Sequence, residues 1–470
     1  MSARVATLLA VLLLLPGTAT ADHPSVPNPT VTGPIPNSVG IYGHPTHDSS
    51  FSLEPYGYVE EEYFVSGNAR TFTGEPRTAD YTTRIIVRRP VKEKDFNGTV
   101  IVEWLNVTAQ FEQPPDWYWS HPMILREGFA YVLISAQAAG HCCAPLTLKV
   151  MDPVRYRSLS HPGDDFSFDI LSQTVQALEH PTDVDAMGGL DVDRVLAAGH
   201  SQSASRLFTY VTAVHQHAGL IDGFYLDAGG SKTWPAPPPV PVIQVFEEFG
   251  FSPTRPNISH NYRLWEVAGA AHADYWVLRH AFDAGDRTLI PQQPQYGEGW
   301  EEAEHEVAGN YGYDVEPRQA TCAYGGNMFP KRYAVDAALY RLDQWVRSGV
   351  PPPQPPAAEF EDGQIARDEH GNALGGLRLP PIDVPVSTYI GNSCGLFGNS
   401  FPLDPVTLRE LYPTHQDYVK EMRAATRDAV SAGILLPEDA RDLMDRAKAS
   451  TIPLTGVQSP LPPHLTDSPT

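Results

Sequence analysis

One ten-residue run, VLAAGHSQSA at positions 195–204, constrains this chain more than any other stretch. An apolar segment breaks there at the sequence GHSQS, and a helix-compatible segment follows it. A serine on a sharp turn between a strand and a helix has a strained backbone, so the residues two before and two after it must be small. Gly199 and Ser203 meet that requirement. The run therefore predicts a nucleophile elbow, in which the turn raises the Ser201 hydroxyl above the end of a sheet.

A second serine lies in a stricter GxSxG sequence at positions 391–395, with Ser393 at its centre. Gly398 and Pro402 follow it closely, and such a segment does not begin a helix. Because an elbow needs a helix directly behind the serine, the sequence context favours Ser201. The alternative is that Ser201 is an ordinary serine in a turn between a strand and a helix.

The other apolar segments alternate between strands and helices. Two β-rich stretches, 58–65 and 81–88, predict an antiparallel edge. Nearly continuous apolar strands follow, and such strands are typical of a sheet buried on both faces. The order predicts an α/β fold of the α/β-hydrolase type, with a mostly parallel central sheet and helices on both faces. Its predicted strands are 98–105, 129–136, the segment from 195 to the elbow, 221–228, 241–246 and 263–267, with helices before 128, over 168–178, from the elbow to about 217, and over 333–346.

The amino terminus has the pattern of a secretory signal. Arg4 precedes an apolar run, and the small residues Ala19 and Ala21 precede Asp22. We therefore expect residues 1–21 to be removed and the mature protein to be extracellular or periplasmic. The apolar run is too short to anchor the chain in a bilayer.

The 470 residues exceed one typical domain. A proline-rich run directly after Val350 predicts a boundary. We expect a catalytic domain over 22–350 and a C-terminal α+β extension over 351–470 that packs on it and covers the pocket. Residues 357–405 are predicted to form strands and loops, and about 406–450 two helices.

The net charge of −23 argues against binding to nucleic acid or to anionic membranes, which need clustered Lys and Arg. A neutral small-molecule or carbohydrate-linked ester suits this charge better. The four cysteines, Cys142, Cys143, Cys322 and Cys394, allow three pairings. We expect that the adjacent Cys142 and Cys143 do not bond each other, because such a bond would be strained; a reactive pair of these two is the alternative. No cofactor and no metal site are predicted, because no second cluster accompanies His141 at ligand spacing.

Three candidate catalytic residues directly follow predicted strands, in the order nucleophile, acid, base. They are Ser201, a glutamate of the pair Glu247 and Glu248, and His272. This chain order is typical of α/β-hydrolases. A serine hydroxyl needs a neutral imidazole to take its proton, and the imidazolium needs a carboxylate to orient and stabilise it. The sequence therefore predicts a triad.

The acid is the least determined member of the triad. We select Glu248, with Glu247 as the reserve; Asp274 and Asp227 are more distant alternatives. The oxyanion site is predicted to use the backbone N–H groups of Gln202 and of Asn106 or its neighbour. Candidate pocket residues are the aromatic run Trp117, Tyr118 and Trp119, together with His200; core or cap packing is the alternative for the aromatic run.

Several motifs resemble those of a largely uncharacterised α/β hydrolase domain family of secreted or bacterial proteins. This resemblance implies the α/β-hydrolase fold and catalytic roles for Ser201 and His272. Members often have Glu-Thr-Asp after the penultimate strand, where this chain has Glu248-Phe249-Gly250. The resembling segments are VEWLNV at 102–107, SAQ at 135–137, SHPGDD at 160–165, GHSQSA at 199–204, EVAGAAHAD at 266–274 and DEHGNALGGLRLP at 368–380.

These observations favour a secreted serine hydrolase that cleaves carboxylic esters through an acyl-enzyme. An acyltransferase that uses the same triad is an alternative. A non-catalytic secreted binding protein on the same fold is another, motivated by the missing aspartate after Glu248. The sequence leaves the oligomeric state open.

Overall fold

A computed structural model describes residues 26–72, 74–254, 257–282 and 327–453 of the chain. The predicted signal peptide over 1–21 lies outside the described residues, as does Cys322.

The centre of the fold is a nine-stranded sheet with the strand order β1-β2-β3-β5-β4-β6-β7-β8-β9. Strands β1 to β3 are antiparallel, β3 pairs antiparallel with β5, and β5 to β9 run parallel with β4 between β5 and β6. The predicted mostly parallel sheet with an antiparallel edge is confirmed. The strands are β1 (Thr30–Thr32), β2 (Tyr58–Arg70), β3 (Thr78–Pro90), β4 (Thr99–Trp104), β5 (Ala130–Ile134), β6 (Arg194–His200), β7 (Gly223–Asp227), β8 (Val242–Phe246) and β9 (Tyr262–Glu266).

The α-helices of the described residues are α1 (Pro115–Glu127), α2 (Ala138–His141), α3 (Leu148–Met151), α4 (Ser167–Glu179), α5 (Gln202–Thr209), α6 (His215–Ala218), α7 (Tyr275–Phe282), α8 (Arg332–Ser348), α9 (Pro380–Asp383), α10 (Pro405–Leu411), α11 (His415–Ser431) and α12 (Pro437–Ala449). The helix predicted behind the elbow is present from Gln202 to Ala218, and a π-helical turn, Tyr210–Val214, joins α5 to α6 within it. The region predicted as two helices, 406–450, contains three. Pro413 disfavours helical backbone at Tyr412, so α10 ends before α11 begins.

The sheet is buried on both faces because side chains of its central strands alternate between two cores. In β4, Val100 and Val102 pack in one core and Ile101 in the other. Helices α4 and α5 cover the first face, whereas α1 and α8 cover the second. This double cover explains why the central strands are apolar at nearly every position.

Beyond residue 350, the chain shares the second core instead of forming its own. Leu377 and Tyr389 belong to the same buried cluster as Trp265 of β9. The backbone also connects the two parts, since the N–H of Ala268 donates to the carbonyl of Leu377 at 3.0 Å. The strands of this region form two hairpins, β10 (Phe360–Glu361) with β11 (Gln364–Ile365) and β12 (Ser387–Ile390) with β13 (Asn399–Pro402).

The cysteine expectation was wrong, because Cys142 and Cys143 form a disulfide with each other. Cys142 has extended backbone, and Cys143 has a φ of 87°, in the left-handed region. This change of backbone direction between neighbours brings their side chains together. Cys394 is also disulfide-bonded.

In the parts of the chain that the structure describes, no helix is both long enough and apolar enough to cross a bilayer.

Candidate active site

Ser201 lies between β6 and α5 with φ 59° and ψ −113°. A positive φ is rare for a residue with a side chain and costs about 1–3 kcal/mol, so the surroundings must enforce it. The Ser201 N–H donates to the carbonyl of Asp227 at the end of β7, 2.7 Å away. A Cβ on Gly199 would lie 3.1 Å from backbone atoms of Ser203 and Ala204. The elbow predicted from small residues is therefore present in the backbone.

Two side chains brace this elbow. The Ser203 hydroxyl accepts from the His200 N–H at 2.9 Å and lies 2.8 Å from the His200 carbonyl. That same carbonyl accepts from Nδ2 of Asn106 at 2.8 Å. The Gln202 N–H is the first of α5, and no hydrogen bond to it is found within the described residues. Its position at the start of a helix directly after the serine suits it to an anionic oxygen.

His272 lies in the loop that follows β9 and is 8% exposed. Its Nδ1 lies 2.8 Å from Oε1 of Glu247, which is buried directly after β8. Burial alone would raise the pKa of Glu247, but the hydrogen bond and charge of His272, with a contribution from Lys331, lower it overall. Glu247 is therefore a carboxylate that can orient this ring through Nδ1 and leave Nε2 for chemistry.

The structure places Glu247, not the selected Glu248, against His272. The Glu248 carboxylate accepts from the Gly269 N–H at 2.9 Å, the Gly391 N–H at 3.0 Å and the Arg367 guanidinium at 2.7 Å. The physical reason is local: Glu247 is extended, and a 3-10 turn begins at Glu248, so the two side chains leave the backbone in different directions. The alternative acids Asp227 and Asp274 contact other side chains.

Ser201 and His272 line the same cavity, which has a volume of about 340 Å³. No hydrogen bond joins the two side chains within the described residues. Such contacts are often long before a substrate binds. Most of the wall is apolar or aromatic, and its residues come from four regions of the chain. Its members are Asn106, Thr108, Ala109, Phe111, Gln113, Pro115, Tyr118, His200, Ser201, His272, Ala273, Val277, Leu278, Leu396 and Phe397.

Two predicted pocket residues, Trp117 and Trp119, do not line this cavity. Successive helical residues are turned by about 100°, so the α1 helix that presents Tyr118 to the cavity directs both tryptophans into the protein. The Trp117 ring packs against the guanidinium of Arg88, and Trp119 donates from Nε1 to Asp274 at 3.0 Å. The interpretation as core packing is therefore correct for these two.

The predicted oxyanion role of the Asn106 backbone is also not supported. Its N–H donates to the carbonyl of Gln113 at 2.9 Å, and the Gln113 N–H donates back to Asn106 at the same distance. This pair of hydrogen bonds closes the loop that begins after β4. The Asn106 N–H is therefore already bonded and is not left to donate to an oxyanion. Asn106 lines the cavity and braces the elbow instead.

Behind the cavity lies a buried lysine that sequence reasoning missed. Lys331 Nζ donates to Oδ2 of Asp227 at 2.9 Å and lies 4.0 Å from the centre of the Trp119 ring. Burial opposes its charge, but the carboxylates of Asp227, Glu247 and Asp274 raise its pKa overall. Burial raises the pKa of Asp274 to about 6. The sequence around Lys331 does not indicate that it lies beside Asp227. Only tertiary packing brings the start of α8 to the end of β7.

The extension supplies two more cavity residues that the sequence did not single out, Leu396 and Phe397. Their loop is hydrogen-bonded to the loop that follows β9 and carries His272, which we call the histidine loop. The Ala273 N–H donates to the Leu396 carbonyl at 2.9 Å. The GxSxG sequence at 391–395 is in this loop and is followed by turns, not by a helix. Its Ser393 hydroxyl lies 3.0 Å from the Ile390 carbonyl and 2.9 Å from Oδ1 of Asn399.

Within the part of the chain described here, no group of three or more His, Cys, Asp or Glu side chains is arranged to hold a metal ion. The sheet, with these residues at the carboxyl ends of its strands, defines an α/β-hydrolase type of arrangement. The sequence model of the alpha/beta hydrolase domain matches residues 31–445, so the chain belongs to that family. The resemblance noted from the sequence motifs is thereby confirmed.

No curated protein matches the chain. Among solved structures, it resembles the esterase Est22, with 12% identity over 42% of this chain and 67% of that chain, at a TM-score of 0.26. It also resembles an alpha-beta serine hydrolase homologue from Coxiella burnetii, with 10% identity over 41% of this chain and 84% of that one, at a TM-score of 0.28. These values say nothing about the substrate.

Proposed function

We propose that this protein is a secreted serine esterase that cleaves carboxylic esters through an acyl-enzyme. The observation that carries the proposal is the meeting of Ser201 and a His272–Glu247 pair at one apolar cavity. The strained φ of Ser201 supports it, because strain of this kind needs a reason and a nucleophile elbow supplies one.

The proposed reaction has two steps. Ser201 Oγ attacks the ester carbonyl carbon while His272 Nε2 takes the hydroxyl proton; the tetrahedral intermediate then collapses, and that proton leaves with the alcohol. Water, deprotonated by the same nitrogen, then attacks the acyl carbon; the second tetrahedral intermediate collapses to the carboxylic acid, and Nε2 returns the proton to Ser201 Oγ as the serine leaves. The Gln202 N–H stabilises the oxyanion, and one such donor contributes about 10²–10³-fold in kcat.

Glu247 acts through His272. Its lowered pKa keeps it ionised at neutral pH, so it holds the hydrogen on Nδ1 and stabilises the imidazolium that forms in each step. The apolar cavity wall suits a neutral acyl group, and the net charge of −23 disfavours anionic substrates. Secretion and removal of residues 1–21 are part of this proposal and depend on the signal pattern alone.

A fluorophosphonate probe tests the proposal directly, because it phosphonylates an activated serine and not an ordinary one. The purified protein should be labelled at Ser201, as mapped by mass spectrometry of its peptides, and Ser201→Ala should abolish labelling. The matched control is Ser393→Ala, which removes the serine of the other GxSxG sequence and should leave labelling intact. A folded protein that is not labelled would indicate the non-catalytic alternative.

Esterase and acyltransferase activities share these residues, and they differ only in whether water or an alcohol accepts the acyl group. Hydrolysis is favoured here because the cavity is open to solvent at Ser201, which is partly exposed. Product analysis with a p-nitrophenyl ester and added alcohol separates the two: free acid indicates hydrolysis, and a new ester in excess indicates transfer.

A further inference from the structure

Two histidine–carboxylate pairs lie beside Ser201, although the proposed reaction uses only one. In addition to His272 with Glu247, His200 Nδ1 lies 3.0 Å from Oδ2 of Asp227. The centres of the two imidazole rings are 4.5 Å apart, and both histidines line the cavity. The second pair therefore faces any ester bound at Ser201.

The environment of Asp227 decides which nitrogen of His200 carries hydrogen. Both Asp227 and Lys331 are completely buried, and Lys331 Nζ donates to the same Oδ2 that faces His200. Burial alone would raise the pKa of Asp227, but the Lys331 ammonium and the imidazole lower it overall. Asp227 is thus a carboxylate, which can only accept. Nδ1 of His200 must therefore be the donor in this bond.

His200 is also held neutral. It is 5% exposed, and burial lowers its pKa to about 4; the charges of His272 and Lys331 act in the same direction, and Asp227 opposes them. A neutral imidazole with its hydrogen on Nδ1 has a lone pair on Nε2. With Nδ1 engaged by the buried carboxylate, Nε2 is the ring nitrogen left for the cavity, and within the described residues no hydrogen bond to it is found.

This nitrogen is suited to binding and not to proton transfer. An effective general base has a pKa near the working pH, and the pKa of His200 is far below neutrality. In contrast, accepting a hydrogen bond requires only the lone pair. A site that accepts a hydrogen bond from a substrate group disfavours the analogue that lacks this group.

We propose that Nε2 of His200 accepts a hydrogen bond from a hydroxyl group on the acyl part of the substrate, close to the scissile carbonyl. Because His200, Ser201 and His272 line the same cavity and the centres of the two imidazole rings are 4.5 Å apart, the inference places this hydroxyl within one or two carbons of the carbonyl. The substrate class is thus esters of short hydroxy acids with an otherwise apolar acyl group. This inference rests on the proposed esterase function and specifies its substrate.

The test compares p-nitrophenyl esters of β-hydroxybutyrate, β-methoxybutyrate and butyrate. The methoxy compound retains the oxygen but has no hydrogen to donate. After each kcat/KM is divided by the rate constant for hydroxide-catalysed hydrolysis of the same ester, the hydroxy ester should exceed the other two by about tenfold, as expected for one hydrogen bond to a neutral acceptor. The ester of α-hydroxybutyrate, corrected in the same way, tests the nearer position, and corrected ratios near one for both hydroxy esters in the unmodified protein overturn the inference by themselves.

Three variants locate the effect at Nε2. His200→Gln carries its amide oxygen near the position of Nε2 and should keep part of the preference. His200→Asn reaches only the position of Nδ1, and His200→Phe keeps a ring without an acceptor; both should reduce the corrected ratio to about one. A preference that persists in both of these variants overturns the assignment to His200.

Failure of this inference is distinguishable from failure of the proposed function. If the fluorophosphonate labels Ser201 and butyrate is hydrolysed but no preference for the hydroxy ester exists, the esterase proposal stands and the role of His200 is wrong. If Ser201 is not labelled in the folded protein, the proposed function is wrong and the inference with it.

Discussion

Glu247 and Glu248 are neighbours with the same side chain, and both are buried, yet they serve different regions of the molecule. Glu247 contacts one ring, that of His272, through Oε1, and its Oε2 has no hydrogen-bond partner within the described residues. Both oxygens of Glu248 are bonded, one to Gly269 and the other to Gly391 and Arg367. The first glutamate faces the cavity side of the histidine loop, and the second joins that loop to the extension.

The difference shows that the role of a carboxylate at a strand end depends on its hydrogen-bond partners and cannot be deduced from its position in the chain alone. Glu248 accepts three hydrogen bonds from groups that do not change charge during a reaction, so it suits a fixed connection. Glu247 pairs with His272, which takes up and releases protons in the proposed reaction, so it suits the role of triad acid in that proposal. Replacing each carboxylate in turn by an amide tests whether the two glutamates have these different roles.

The largest effect is expected for Glu247→Gln. The amide cannot stabilise an imidazolium, and it permits the wrong tautomer of His272, so kcat for p-nitrophenyl butyrate should fall by about 10³–10⁴-fold. Steady-state kinetics measure it, with urea unfolding to confirm that the variant is folded. The comparison fails if Glu248→Gln, at equal stability, loses as much kcat as Glu247→Gln does.

The second effect concerns stability. Glu248→Ala leaves the Arg367 guanidinium and two backbone N–H groups without their acceptor, and breaking such a buried pair costs about 3–5 kcal/mol. Arg367 is 23% exposed, so water can solvate part of its charge and the lower end of that range is expected. Urea denaturation measures the free energy of unfolding.

The control for this second prediction is Glu369→Ala in the same region. The Glu369 side chain is 88% exposed, so its removal should change the free energy of unfolding by no more than about 0.5 kcal/mol. Equal losses for Glu248→Ala and Glu369→Ala would contradict a connecting role for Glu248.

Ser201 and His272 could be predicted from the sequence because both follow apolar strands of a parallel sheet. The carboxyl ends of such strands meet at one edge, so position along the chain indicates position in space. The choice between Glu247 and Glu248 could not be predicted in this way. It depends on where the backbone leaves the extended conformation, and a difference of one residue reverses which side chain faces the histidine.

Lys331 and Phe397 show the other limit. Neither follows a strand of the sheet, and each reaches the site through packing of a distant segment, Lys331 at the start of α8 and Phe397 in the loop before β13. Trp117 and Trp119 show the reverse error, since an aromatic cluster near a site indicates core packing as readily as a pocket. Residue type alone does not resolve such cases.

The third prediction sharpens the comparison through pH. The folded-state pKa of Glu247 is lowered, so its stabilising contribution is present above the unfolded pKa of about 4.3 and is lost as the pH falls through the lower folded value. Glu247→Gln should therefore make the decrease of unfolding free energy below about pH 4.3 less steep. Urea denaturation at a series of acidic pH values measures it, and an unchanged slope would contradict the pairing with His272.

His200 contributes to the same curve in a separate window. Its folded pKa of about 4 is below that of an unfolded histidine, so between that value and about pH 6.5 the unfolded state binds more protons and stability falls with decreasing pH. His200→Phe should reduce this part of the decrease without abolishing it, because burial also lowers the pKa values of His47, His141 and His161. The Glu247→Gln and His200→Phe variants should therefore change the curve in different pH windows.

The smallest effect is expected in the extension, which Glu248 connects to the site. Phe397→Ala removes apolar wall from the cavity, so KM should rise by about threefold or more for longer acyl esters and less for p-nitrophenyl acetate, which does not reach that wall. Phe401→Ala is the matched control, because Phe401 is a 44% exposed phenylalanine of β13 that does not line the cavity. If both variants give the same small change at every chain length, the extension stabilises the histidine loop without selecting the acyl group. If only Phe397→Ala changes the chain-length profile, the region held by Glu248 contributes to specificity as Glu247 contributes to rate.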